Sequence, residues 1–144
     1  MAYLLDTNII IALLHKKEPI NSTLRSKQPD ELFISGITIG EIYYGVEKSN
    51  ANYKQKNLIA REAIMNLFKH NFMDKNVCEE YGKIKAELFA TKSYSPNNEN
   101  DIWIAAHARA GSFVLITENL KDFQSITGLR IESWSTTPPT SIQT

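Results

Sequence analysis

Three short runs, Tyr3–Leu5, Leu32–Ile34 and Phe113–Ile116, are apolar at every position and never alternate with polar residues. A strand with one wet face alternates; a strand that does not must be covered on both sides. Between these runs lie stretches with helical period. Ile9–Leu14 follows the first run directly after Asp6, Thr7 and Asn8, which reads as strand, tight turn and helix. A second helical piece starts near Pro19, since proline suits a first turn, and fades around Ser26–Pro29. Ser35 and Gly36 punctuate the second run and open a helix that turns Ile39, Ile42, Tyr43 and Val46 inward. Tyr53–Lys69 predicts an amphipathic helix through Leu58, Ile59, Ala63, Met65, Leu67 and Phe68, followed by a brief strand at Phe72 and Met73. Val77, Tyr81, Ile84 and Leu88 form a clean helical stripe, and Ser93–Glu99 is a loop by composition. Asn100–Ala110 is apolar on nearly every side, as in a helix pressed between layers; Gly111 stops it, and a last strand falls near Leu129–Ile131. Two-sided strands alternating with helices predict an α/β fold: a three-layer α/β/α domain on a mostly parallel sheet of short strands, spanning residues 1–134. Residues 135–144, ending TTPPTSIQT, are expected to form a flexible tail.

At 144 residues the chain suits one domain. No segment approaches the roughly 18 consecutive apolar residues of a membrane span. The opening MAYLLDTN lacks a basic region followed by a removable apolar segment, so a cytoplasmic location without a membrane is expected. The lone cysteine, Cys78, excludes an intramolecular disulfide and reads as a buried core thiol. With 16 basic and 16 acidic residues there is no whole-surface positive field, and any nucleic-acid contact must be local. His15, Lys16 and Lys17 with Arg25 and Lys27 form one candidate patch, and Lys54, Lys56 and Arg61 another. Each reads more readily as a solvated helix face.

In an open α/β sheet functional groups collect beyond the carboxyl ends of the strands, where Asp6 lies. Glu41 and Asp101 fall in the first turns of two separate helices, so three carboxylates can converge. Close carboxylates repel unless a cation joins them, and a hard divalent ion prefers oxygen ligands. Such an ion suits phosphodiester hydrolysis by water. There is no GxSxG, no P-loop and no paired-cysteine site, and His15, His70 and His107 are unclustered. Each acid also admits a structural role: Asp6 as a helix N-cap, Asp101 and Glu99 as partners of a helix dipole, Glu41 as a solvated helix residue. His107 reads as a core histidine, and Trp103, Tyr43 and Tyr44 as core or interface rather than base-stacking platforms.

The blocks LLDTNIIIALL, ITIGEIYYGVEK, NDIWIAAHA, LITENLKDF and GLRIESW, in that order over nearly the whole length, resemble the PIN-domain family and within it VapC-type toxins of type II toxin–antitoxin systems. The resemblance implies a Mg²⁺-dependent endoribonuclease, with Mn²⁺ as the alternative ion, that cuts RNA as a homodimer and is neutralised by a VapB-like antitoxin. By position, Asp6 and Asp101 match the principal metal ligands and Glu41 the acid completing the inner cluster. Thr7 and Asn8 match residues that hold the turn, and Thr117 a hydroxyl near the metal. One departure stands out. Where many PIN domains carry an acid two residues after that threonine, this chain has Asn119, which can bind through its carbonyl but adds no charge; Asp122 is the nearby substitute. A non-catalytic RNA-binding or scaffolding module is the alternative function. A phosphatase using Asp6 as covalent nucleophile is disfavoured because Asn8 stands where a second acid is wanted.

Overall fold

The computed structural model describes residues 1–135. Five strands, β1 (Tyr3–Leu5), β2 (Leu32–Ser35), β3 (Lys69–Asn71), β4 (Val114–Ile116) and β5 (Arg130–Glu132), pair in the order β3-β2-β1-β4-β5, every pairing parallel. They are joined by helices α1 (Thr7–Leu14), α2 (Ile20–Arg25), α3 (Gly36–Glu47), α4 (Lys54–Met65), α5 (Lys75–Ala90), α6 (Glu99–Ala110) and α7 (Leu120–Phe123).

Successive strand residues point to opposite faces, and both faces are covered. Tyr3 and Leu5 pack with Leu32, Ile34, Val114 and Ile116 against Ile9, Ile10 and Leu13 of α1 and Ile42 of α3. Leu4 and Leu115 face the other way, onto Val77, Ile84 and Leu88 of α5 and Ile102 and Ala105 of α6. The expected three-layer α/β/α arrangement is what these two cores amount to. Each aliphatic side chain so buried contributes about 1.5–3 kcal/mol. A one-residue slip of β1 would exchange the side chains of both cores at once, which pins its register.

The differences from expectation lie at the edges. β3 is Lys69–Asn71, while Phe72 and Met73, taken from the sequence as the strand, lie beyond it and are exposed. An edge strand is held through its backbone to one neighbour, here β2, and does not need apolar side chains to declare itself. Consequently α4 ends at Met65 instead of running to Lys69, and Ile59, Ala63 and Leu67 are exposed. Tyr43 is not turned inward; its hydroxyl donates to Glu62 at 2.8 Å and ties α3 to α4 at the surface. Cys78 is exposed, because the neighbouring Val77 takes the inward position on α5. The expected tail lies outside the described residues, apart from its first residue, Ser135. Among the described residues no helix is long and apolar enough to cross a membrane.

Candidate active site

The chain runs outward from β1 to β2 to β3, then returns to lay β4 on the other side of β1. Loops leaving β1 and β4 therefore diverge at the carboxyl end of the sheet, the switch point where open α/β sheets form a crevice. The segment after β1 supplies Asp6, Thr7 and Asn8, and the segment after β4 supplies Thr117, Glu118 and Asn119.

Asp6 is buried and caps α1, its Oδ1 accepting from the Thr7 backbone N–H at 2.8 Å. Its Oδ2 accepts from the Thr117 hydroxyl at 2.7 Å, and its own N–H donates to the Ile116 carbonyl at 2.9 Å. Thr117, fully buried, accepts in turn from the Asn119 N–H at 3.0 Å and the Asn8 side-chain amide at 3.4 Å. Asn8 Oδ1 accepts from the Glu118 N–H at 3.3 Å, so the two segments are stitched together side chain to backbone. Asn8 joins the two segments, and Thr117 holds Asp6.

Ser35 caps α3, its hydroxyl accepting from the Thr38 N–H at 3.1 Å, and this sets the phase that brings Glu41 to the crevice. Glu41 stands in the second turn of α3, one turn later than its expected place. Its Oε1 accepts from the Thr7 hydroxyl at 2.5 Å and its Oε2 from the Asn100 side-chain amide at 3.3 Å. Asp101 enters from the first turn of α6. Asp6, Glu41, Asp101 and Asn119, with Thr7, Asn8 and Ile11, line one crevice of about 300 Å³. Asp122 lies outside it, in an adjoining hollow with Glu118 and Asn119. Thr38, whose hydroxyl is 3.3 Å from that of Thr7, and Asn100 belong to the supporting network although the sequence reading gave them no role. The only prior signal was their place beside Glu41 and Asp101 in the quoted blocks.

Burial pushes the Asp101 carboxyl up to about 7, with the charges of Asp6, Asp122 and Glu41 adding to it and no hydrogen bond opposing it. Burial likewise raises Asp6; bonds from Thr117 and Thr7 offset this in part, and Glu41 and Asp122 push further upward. No lysine or arginine among the described residues lines the crevice. Among the described residues no three His, Cys, Asp or Glu side chains form a ready-made ion-binding set, and Asp6 and Glu41 accept hydrogen bonds from hydroxyl and amide donors. The donor set is nevertheless all oxygen and carries uncompensated negative charge. That chemistry fits a hard divalent cation that keeps part of its water shell and takes only one or two carboxylates directly.

Glu99 is turned away from the crevice: it accepts from the hydroxyls of Tyr81 and Tyr94 and pairs with Lys85, binding α5 to the start of α6. Trp103 stacks on Tyr81, with ring centroids 3.7 Å apart. His107 is buried, as expected. Of the basic residues, His15 and Lys17 line a hollow that shares Asn8 and Ile11 with the crevice, whereas Lys54 is paired with Glu47 at 2.9 Å.

The profile of the PIN domain family matches residues 3–129. The chain is 37% identical over 136 residues to a ribonuclease VapC2 of Haemophilus influenzae, covering 93% of this chain and 98% of that protein. It is 33% identical over 135 residues to a tRNA(fMet)-specific endonuclease VapC of Salmonella typhimurium, covering 93% and 98%. Among solved structures, the DNA-bound VapBC of Salmonella typhimurium superposes with a TM-score of 0.83 at 33% identity, over 93% of this chain and 98% of that one. VapBC-1 of nontypeable Haemophilus influenzae gives 0.82 at 33% identity, over 94% and 100%.

Proposed function

The chain belongs to the PIN-domain family, and from that premise we propose that it is a toxin endoribonuclease, hydrolysing RNA phosphodiester bonds with water as nucleophile and held in check by a VapB-like antitoxin. The observation that carries this reading is the crevice at the sheet's switch point, where Asp6, Glu41, Asp101 and Asn119 present oxygen donors with no cationic side chain among them. Relatives named as ribonucleases and VapBC assemblies among the similar structures support the substrate and the partner. The same reading includes a cytoplasmic location and a homodimer.

Asp6 and Asp101 would hold Mg²⁺, or Mn²⁺ in its place, with Glu41 completing the set and Asn119 or Asp122 as outer partners. Such an ion, when bound, lowers the pKa of water and offsets charge on phosphoryl oxygens. The protein's own contribution is placement. Thr117 and the Thr7 N–H fix both oxygens of Asp6, so this carboxylate cannot rotate away. Thr7 and Asn100 orient Glu41 toward the crevice, where its carboxylate can take a proton from water. Asp101 carries no such restraint and is the acid most free to adjust.

Purified protein should cut RNA in Mg²⁺ and stop in EDTA. Asp101→Asn should lower the cleavage rate on the order of a hundredfold or more. Cleavage at the wild-type rate by that variant would show that the assigned site is wrong. RNA binding without cleavage in either ion would leave a non-catalytic RNA-binding module.

A further inference from the structure

A second, larger hollow of about 630 Å³ opens directly beside the crevice and shares Thr7 and Glu41 with it. Its far wall is the exposed face of α3, where Gly36, Gly40, Tyr44 and Lys48 follow one another at i, i+4 spacing, with Gly45 alongside. Tyr44 is 66% exposed, and the Lys48 ammonium lies 5.1 Å from its ring centroid. Glycine inside a helix costs about 1 kcal/mol relative to alanine and is usually explained by a close neighbour. Here a Cβ at Gly40 or Gly45 would meet nothing within 4 Å. No packing partner demands these glycines, and what their missing side chains keep clear is the groove.

We propose that this groove seats the single-stranded RNA flanking the cleaved bond, with a nucleobase stacked on Tyr44 and the backbone attracted by Lys48. The inference rests on the nuclease reading above and adds positioning residues to it. Aromatic faces bind bases of any sequence, and one cation beside such a platform matches the alternation of base and phosphate along a strand. Among the described residues Lys48 is the only cationic side chain lining the groove, and it stands one helical turn beyond Tyr44 as the strand leads away from Glu41. On the other flank, beyond Asn8 and Ile11, the hollow with His15 and Lys17 offers a continuation past the acids. A strand crossing the negative crevice thus meets the Lys48 ammonium on one flank and that of Lys17, beside Glu118, on the other, where an anionic backbone finds a counter-charge. Tyr44, read from the sequence as core or interface rather than a base-stacking platform, is exposed and not core, and the proposal makes it a stacking platform.

The test is fluorescence anisotropy with a labelled single-stranded RNA of about ten nucleotides, in EDTA so that the strand stays intact, beside cleavage in Mg²⁺. Tyr44→Ala should weaken binding about tenfold, whereas Tyr44→Phe should bind within about twofold of wild type. Lys48→Gln should weaken binding and lower the salt dependence by about one phosphate contact. Gly40→Leu should weaken binding by filling the groove while raising Tm, because leucine is the better helix former. A Gly40→Leu protein that is stabler but binds RNA normally overturns the groove, as does a Tyr44→Phe protein as defective as Tyr44→Ala. Variants that keep RNA binding but lose a copurifying small protein assign the groove to that partner and overturn the proposal. A wild type that cuts and binds no RNA removes the nuclease reading and this one together.

Discussion

Replacing Asp6 by asparagine and by alanine separates two roles held by one carboxylate. As N-cap it accepts the Thr7 N–H, and as the buried partner of Thr117 it fastens β1 to the segment after β4. Asparagine can still cap but offers Thr117 an amide donor in place of an acceptor, so Asp6→Asn should lose RNA cleavage and melt only modestly below the wild type; Asp6→Ala should lose the activity and, with the cap gone, about 1 kcal/mol more of stability. A thermal melt of the two purified variants beside an RNA cleavage assay decides it, and a large loss of Tm in Asp6→Asn would leave the structural role alone. Asn119 is the second residue worth changing, because it lines the crevice without adding charge. Asn119→Asp should lower the Mg²⁺ concentration for half-maximal cleavage, and should lower Tm in EDTA through added repulsion, with Mg²⁺ restoring it. Unchanged metal dependence together with unchanged Tm in EDTA would place residue 119 outside any ion-binding set. Asp6 and Asp101 were legible as candidates from their places at a strand end and a helix start, Glu41 chiefly and Asn119 wholly through the family resemblance. Thr38 and Asn100 were not, since a threonine or asparagine reveals a role only once its hydrogen-bond partner from another segment is in view.

At the scale of elements, the link between β3 and α6 carries a testable pH dependence. His107 Nδ1 pairs with Asn71 Oδ1 at 2.8 Å, while its Nε2 is buried without a partner among the described residues. Burial holds the imidazole below its ordinary pKa, and the charge of Asp74 only partly counters this. The unfolded chain thus binds the proton more readily than the folded one. The neutral ring's contribution is complete above the unfolded value, about 6.5, and is lost as pH falls through the lower folded value. Melting temperatures taken from about pH 7.5 down to about pH 5 should fall more steeply for wild type than for His107→Leu. Parallel curves would remove His107 from the account. This joint also shows which elements a sequence can declare. β1, β2 and β4 are buried on both faces and advertise themselves by composition, as the stripe of α5 does by period. β3 is written in Lys69, His70 and Asn71, and only its pairing with β2 makes it a strand. Cys78 was misread for a related reason: the period of α5 places Val77 inward, and its neighbour in sequence is then carried round toward water.

At the scale of the molecule, the crevice is acidic and has no internal counter-charge, which suggests how a protein partner would close it. An antitoxin should place a basic side chain among Asp6, Glu41 and Asp101, and arginine suits this because its planar fork bonds carboxylates in pairs. Coexpression with a VapB-like antitoxin should yield a complex that does not cut RNA, and replacing one arginine of that antitoxin should restore cutting. Tight association that leaves cleavage intact would rule out this mode of inhibition. The placing of β1 between β2 and β4 bears on when activity first arises during translation. Asp6 leaves the ribosome well before Thr117, whose hydroxyl fixes it from 111 positions later. A nascent chain that ends before β4 has its central strand paired on one side only, and it has neither the oriented Asp6 nor the far wall of the crevice. Contacts so distant in sequence also form late and slowly. Translation order itself therefore withholds the assembled crevice until β4 and Thr117 have emerged, leaving an interval in which a partner already present can meet the chain before it first becomes dangerous to the cell that makes it.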